Sequence, residues 1–160
     1  MNPLVQTVVL LTDILQSIRV KVPLEGGTKD EVLRELVDVL AADGCVADPD
    51  AALRVVQQRE QVLSTGIGHG VALPHGKTDT CRELVIAAGV TAEPVEFDAL
   101  DGAPVRLIFL LVGPESAAGT HIKALSRISR LVRQPESRER LTGAPDSSAF
   151  LEVLREAEHA

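Results

Sequence analysis

Tryptophan and tyrosine are absent from this 160-residue chain, and phenylalanine occurs three times. With so few rings, base stacking on aromatic platforms is hard to arrange, which argues against a single-stranded nucleic-acid binder. Positive charge is scarce as well: 16 Lys and Arg stand against 23 Asp and Glu, a formal net charge of −7. An electrostatic nucleic-acid footprint would be basic, so protein or small-molecule partners fit better. Cysteine is limited to Cys45 and Cys81, and neither stands in a CxxC spacing. A dithiol redox motif and a zinc knuckle are thereby excluded, and reduced thiols in a cytoplasmic protein are the expectation. No apolar run is long enough to span a bilayer. The apolar start, Leu4 to Ile18, is broken by Gln6, Thr7, Thr12, Asp13 and Gln16 and lacks the basic leader of a signal peptide. Neither membrane insertion nor export is expected.

What the chain does hold is aliphatic. Hydrophobic residues make up 45% of it, enough at this length for one domain, residues 1–160, with a core of Leu, Val, Ile and Ala. Ile18 to Val22 alternates and reads as a brief strand ending at Pro23, followed by a Gly26-Gly27 turn. Thr28 is placed to cap a helix over Lys29 to Ala42, where Val32, Leu33, Leu36, Val37 and Leu40 recur at helical spacing before Gly44 supplies a stop. Asp48-Pro49 opens a second helix, with Ala52, Leu53, Val56 and Leu63 as apolar contacts and Arg59-Glu60 near its end. Strands are expected over Leu84 to Val90 and Val105 to Val112, joined by a bent connection through Glu93-Pro94 and Asp101-Gly102. The second is apolar enough to be buried on both faces. Thr120 reads as the cap of a helix carrying Ile122, Leu125, Ile128, Leu131 and Val132, with a stop near Gln134-Pro135. Helical segments over Ser137 to Leu141 and Ser147 to Ala157 close the chain. This order predicts an α/β sandwich around a small central sheet.

Between the second helix and the strands lies Ser64-Thr65-Gly66-Ile67-Gly68-His69-Gly70-Val71-Ala72-Leu73-Pro74-His75-Gly76-Lys77, the segment that carries chemistry. Gly66, Gly68 and Gly70 let the backbone approach a neighbour or a ligand closely, as phosphate binding requires. Pro74 fixes its own φ and pushes Leu73 towards an extended conformation, so His75 should emerge from a stiff strand end. Neutral imidazole is a good nucleophile near pH 7, and a reversible phosphohistidine is chemically reasonable there. An ordinary loop histidine beside a glycine turn remains the simpler reading of these residues taken alone. Two nucleotide motifs overlap the segment and both fail. Five residues separate Gly70 from Gly76-Lys77-Thr78 where a P-loop needs four, and Val71 stands where a dinucleotide fingerprint needs its third glycine.

Several residues could act with His75. His121 follows the expected cap Thr120, so it would lie in the first turn of a helix, where free amides and the dipole favour an anion. It is expected beside the phosphate and outside the core. Arg59 could clamp phosphoryl oxygens bidentately, or pair on the surface with an acidic neighbour such as Glu60. Ser64 and Thr65 offer hydroxyls, with turn formation as their alternative use. Arg59, Lys77, Arg106 and Lys123 could supply a local basic pocket on an acidic protein. His69, between two glycines, and His159, beside the C-terminus, have the least support. Ser64 is not in a GxSxG elbow, no acidic residue is placed to orient His75 as in a hydrolase triad, and the histidine spacing matches no zinc pattern.

Taken together, Arg59-Glu60, then Ser64 to Gly68, then Gly70 to His75 resembles the enzyme IIA signature of the fructose, mannitol and nitrogen-regulatory branch of the bacterial phosphoenolpyruvate-dependent phosphotransferase system. The resemblance extends to Thr120 to Leu125, Phe97-Asp98 and Leu11 to Leu15, and so covers nearly the whole chain. It implies an α/β fold, a small mixed central sheet flanked by helices in a three-layer sandwich. It implies further that His75 accepts a phosphoryl group from a histidine phosphocarrier protein, with no cofactor and no metal. His121 and Arg59 would support the phosphorylated site, with Ser64, Thr65, Gly66, Gly68 and Gly70 around the phosphate. Downstream partners would be a IIB sugar-transport component or regulatory target proteins; a binding module that keeps the fold without the chemistry is the alternative. Whether the protein is a monomer or a homodimer is left open. His69 departs from the family pattern, in which this inter-glycine position is often Asn.

Overall fold

The computed structural model describes residues 10–15 and 19–159, so Leu4 to Val9 and Gln16 to Ile18 of the apolar start lie outside the described residues. In chain order the elements are α1 (Leu11–Ile14), β1 (Val20–Leu24), α2 (Lys29–Ala42), α3 (Pro49–Val62), β2 (Gly66–Gly68), β3 (Val71–Ala72), β4 (His75–Lys77), β5 (Val85–Val95), β6 (Val105–Gly113), α4 (Ala118–Val132), α5 (Pro135–Thr142) and α6 (Ser147–Glu158). The first long helices start where their side chains say they should. Thr28 accepts the Glu31 amide and Asp48 accepts the Ala51 amide, each satisfying a first-turn donor that the helix itself leaves unpaired.

The sheet is mixed, in the order β1-β5-β6-β3-β2, with β4 also paired to β6. Its centre is the antiparallel pair of β5 and β6, two runs apolar enough to be covered on both sides. Alternation divides the central side chains between two cores. Ile86, Ala88, Leu107, Phe109 and Leu111 pack with Ala124 and Ile128 of α4 and Phe150 and Leu154 of α6. Val85, Ala87, Ile108, Leu110 and Val112 pack with Val32, Leu36 and Leu40 of α2 and Ala52 and Val56 of α3. The result is helix, sheet and helix in three layers, as expected.

Several local expectations are corrected. β1 does not stop at Pro23 but continues to Leu24, through a register shift that begins at Lys21. An edge strand tolerates a proline that cannot donate to the ladder, and the irregular pairing absorbs it. β5 runs on to Val95, with its bend taken up as a register shift after Val90. Thr120 is not a cap: a 3-10 turn over Glu115–Ala117 leads into α4, which begins at Ala118, so Thr120 is already inside the helix. Leu63, expected as an apolar contact, is 56% exposed, and Ile122, in the apolar series of α4, is 68% exposed. Among the described residues no helix is long and apolar enough to cross a membrane.

Candidate functional site

β3 and β4 are two halves of one strand laid along β6. Val71 pairs with Leu107 and Ala72 with Ile108, and beyond Leu73-Pro74 the same register resumes as His75 with Leu111 and Lys77 with Gly113. Pro74 has no amide to give, but its carbonyl accepts the Leu111 amide at 3.0 Å, so the strand is held across the break. Gly76 then faces α3 at close range: a Cβ there would stand 3.0 Å from Val55 Cγ2 and 3.2 Å from the Val56 amide nitrogen. Because neighbours on a strand alternate, His75 and Lys77 are turned to the other face, the side of α4. The stiff placement of His75 thus comes from a strand start, a proline and a glycine whose missing side chain lets a helix close behind it.

His75 is half-buried, and its Nδ1 lies 2.9 Å from the Leu73 carbonyl oxygen. A carbonyl can only accept, so Nδ1 carries a proton, and in the neutral form of the ring the lone pair is on Nε2. His121, the fourth residue of α4, meets His75 edge to face, with ring centroids 5.5 Å apart and an interplanar angle of 77°. It is 5% exposed, inside the core boundary and not outside it. Burial first, and then the charges of His75 and Lys77, push the His121 pKa down to about 4, so this ring is neutral at pH 7 and has an N–H to donate. Lys77 adds a cation on the same strand face, tethered to Glu115 at 3.1 Å in an exposed ion pair. No side chain caps α4, but the Ala118 amide already bonds the Glu115 carbonyl, so the helix start has one donor fewer than expected for an anion.

The remaining candidates are placed elsewhere or are otherwise occupied. Arg59, in the last turn of α3, donates from Nη1 to the Leu63 carbonyl at 2.8 Å and closes its own helix end. It does not pair with Glu60. That carboxylate is 6% exposed and turned inward, where it accepts the Thr65 amide and hydroxyl and the Lys29 ammonium at 3.0 Å. Burial alone would raise the Glu60 pKa, but the bonds from Thr65 and Lys29 outweigh it and hold it below the usual carboxylate range. Lys29 in turn sits 5.0 Å from the centre of the Phe97 ring. Ser64 donates to the Phe97 carbonyl at 2.8 Å and accepts the Gly66 amide at 3.0 Å. This Lys29-Glu60-Thr65 latch, which ties α2 and α3 to the start of β2, was not legible in the sequence; the only signal was a Glu beside Arg59.

Nor do the three alternating glycines gather at His75. A Cβ on Gly66 would stand 2.7 Å from that of Ala99, so this glycine admits a neighbouring chain segment. Gly68 pairs with Val71 across a two-residue turn, and His69 and Gly70 both have positive φ, 58° and 78°. That is the type I′ hairpin turn, whose twist matches the strands it joins. His69 therefore stands where Asn is favoured because Asn tolerates the left-handed region, and histidine shares that tolerance. Its amide bonds the Asp101 carboxylate at 3.0 Å and its side chain is exposed. The turn meets β6 at Arg106 and Leu107, while His75 meets it at Leu111, about 15 Å along the strand at the usual rise per residue. Arg106 is at this far end too, so the four cations do not form one pocket. His159, which had little support as a site residue, closes α6 with its amide on the Arg155 carbonyl. No group of three or more His, Cys, Asp or Glu able to hold a metal occurs among the described residues.

Fold and imidazole pair define a class: an α/β/α domain with a histidine on a sheet strand whose ring meets, edge to face, a buried histidine of the covering helix. Residues 13–157 match the model of the phosphoenolpyruvate-dependent sugar phosphotransferase system EIIA 2 family. A fructose-specific EIIABC component of Bacillus subtilis is 35% identical over 146 residues, 91% of this chain but 23% of that protein, so the chain spans about a quarter of that relative. The crystal structure of the nitrogen regulatory protein IIA-Ntr from Neisseria meningitidis superposes with a TM-score of 0.84 at 33% identity, covering 90% of this chain and 98% of that one. The mannitol enzyme IIA of Escherichia coli, solved in complex with phosphorylated enzyme IIB, shares the fold with a TM-score of 0.75 at 21% identity, over 89% and 97% of the two chains. The chain belongs to the EIIA type-2 family of the phosphotransferase system.

Proposed function

We propose that His75 is the phosphoryl acceptor and that Nε2 is the atom that takes the group. The observation that carries this is the 2.9 Å contact between Nδ1 and the Leu73 carbonyl, which holds the tautomer with its lone pair on Nε2. In the transfer, the N–P bond of a phosphorylated histidine on the incoming carrier breaks, and its electron pair returns to that imidazole. The bond from Nε2 of His75 to phosphorus forms as it breaks. Nδ1 keeps its proton, and the positive charge that develops on the ring is steadied by the Leu73 carbonyl. Phosphoryl transfer asks mainly for in-line placement and for donors around the equatorial oxygens. Neutral His121 supplies an N–H, and Lys77 can leave Glu115 for the phosphate. Arg59 must leave the Leu63 carbonyl to reach it.

The phosphate then passes to a IIB component or, in a nitrogen-regulatory role, sets which target protein is bound; the similarity to a fructose component and to IIA-Ntr supports both outlets. Incubating the protein with phosphoenolpyruvate, enzyme I and the histidine phosphocarrier tests the reading directly. Acid-labile phosphate should appear on the wild type and be absent from His75→Ala. Equal labelling of the variant would remove His75 from the mechanism.

A further inference from the structure

Three arginines that the transfer reaction does not use stand near the start of β6: Arg106 on the strand itself, Arg133 at the end of α4 and Arg138 in α5. Arg106 donates from Nε and Nη2 to the Thr91 carbonyl, at 3.3 and 3.0 Å. Arg138 donates from Nη1 to the Val132 and Arg133 carbonyls at the end of α4, at 3.0 and 3.1 Å. Arg133 itself is exposed. None of the three pairs with a carboxylate among the described residues; Arg54, Arg59, Arg82 and Arg130 do not either, but they do not line the two hollows found here. In a chain of net charge −7, three guanidiniums lining two hollows that share His69 make a local basic patch, complementary in charge to an anionic partner. Arg106 and Arg138 are held by backbone carbonyls, which fix their orientation without neutralising them. Each keeps N–H groups to spare, and little rotamer entropy is left to lose on binding.

Two adjoining hollows open here, and His69 forms the wall between them. One, of about 550 Å³, is lined by His69, Arg106, Arg138, Glu139, Thr142 and Gly143. The other, of about 350 Å³, runs between the β2-β3 turn and α4 past Ile67, Val71, Val132 and Arg133. A single small anion would fill neither the length nor the apolar floor of the second. Nucleic acid would find no aromatic side chain to stack on. We infer that this groove seats an extended acidic peptide segment of a partner protein, its carboxylates on Arg106, Arg133 and Arg138 and an aliphatic side chain against Ile67. Because His75 lies about 15 Å away along the sheet, the segment can be held while the His75 face is engaged by another protein. The inference stands apart from the proposed transfer chemistry.

A fluorescein-labelled peptide of sequence Glu-Glu-Leu-Glu-Glu tests it by polarisation, with amide shifts of the nitrogen-15-labelled full chain as the map. Shifts should cluster at His69, Gly70, Arg106, Val132 and Arg133 and spare His75 and Lys77. Arg133→Glu, on an exposed side chain, should weaken binding about tenfold, as expected when an interfacial charge is reversed. Glu139→Gln should tighten it, because that carboxylate faces the same hollow. Unchanged affinity in Arg133→Glu, or shifts centred on His75, would overturn the proposal. So would equal shifts with free glutamate, or displacement of the peptide by oligothymidylate at comparable concentration, which would assign the groove to a small anion or to nucleic acid.

Discussion

One continuous glycine-rich segment has two ends with different physical purposes. From Gly66 to Ala72 the glycines make a hairpin: one admits Ala99, and two more carry positive φ around His69. From Pro74 to Lys77 the same segment becomes a straight strand, and Gly76 allows α3 to close behind His75. The first end uses backbone freedom to turn the chain; the second uses its restriction to fix a side chain. Changes at the His75 end should therefore appear in phosphoryl transfer, and changes at the hairpin end in stability.

The largest separation is expected at His121. Its pKa of about 4 lies below the ordinary histidine value of 6.5, so the folded protein binds fewer protons than the unfolded chain between those values. Stability should therefore fall as pH drops from 6.5 towards 4, by about 3 kcal/mol in all, and then level off. Urea titrations across that window check this, and His121→Ala should flatten the profile. The same variant should slow transfer about a hundredfold, the scale of losing one placed donor. An unchanged rate in its folded fraction would show that His121 is only a core residue.

Arg59 comes next. Its guanidinium is engaged with Leu63 at 2.8 Å, so the proposed clamp requires an exchange of partners. Arg59→Ala should cost roughly ten- to a hundredfold in transfer rate, with Arg59→Lys in between because it keeps charge but loses the fork. If transfer is unaffected and only stability falls, Arg59 is a helix cap and nothing more. At the hairpin the order of readouts reverses. Gly70→Val forces a β-branched residue into φ +78° with no clash nearer than the Pro104 carbonyl at 3.7 Å. It should cost about 2 kcal/mol of stability from backbone strain alone, measured by thermal unfolding. Transfer per folded molecule should stay within twofold of wild type.

How much of this was written in the sequence follows from how local each cause is. α2 was legible to its last residue, since the Thr28 cap, the helical spacing and the Gly44 stop act within a few residues of each other. α4 was displaced by three residues because a 3-10 turn over Glu115–Ala117 leads straight into it, which no local signal at Thr120 opposes. His121 was offered as a partner of His75 by its expected helix-start position and again by the resemblance, but the contact itself was not legible, because its two members are joined by the register of β4 on β6 and the packing of α4. The inward Glu60 was invisible for a related reason: a carboxylate beside an arginine on a helix end reads as solvated. Its burial depends on Lys29, from a different helix, and Thr65, from beyond the helix end.

The smallest expected effect is the most direct test of why histidine stands at this turn. His69 occupies the first central position of a type I′ turn, with Gly70 at the second. Asn-Gly is the favoured pair there, because the Asn side chain bonds its own backbone and relieves the left-handed conformation. On turn chemistry alone His69→Asn should therefore raise stability by about 0.5 kcal/mol and leave transfer from the phosphocarrier untouched. But His69 also separates the two hollows beside Arg106 and Arg133, and shortening it merges them. If histidine is kept there for that wall, His69→Asn will weaken the acidic peptide while it stabilises the fold. A variant that is more stable and binds the peptide as before would show that the histidine is a tolerated turn residue and has no part in the groove.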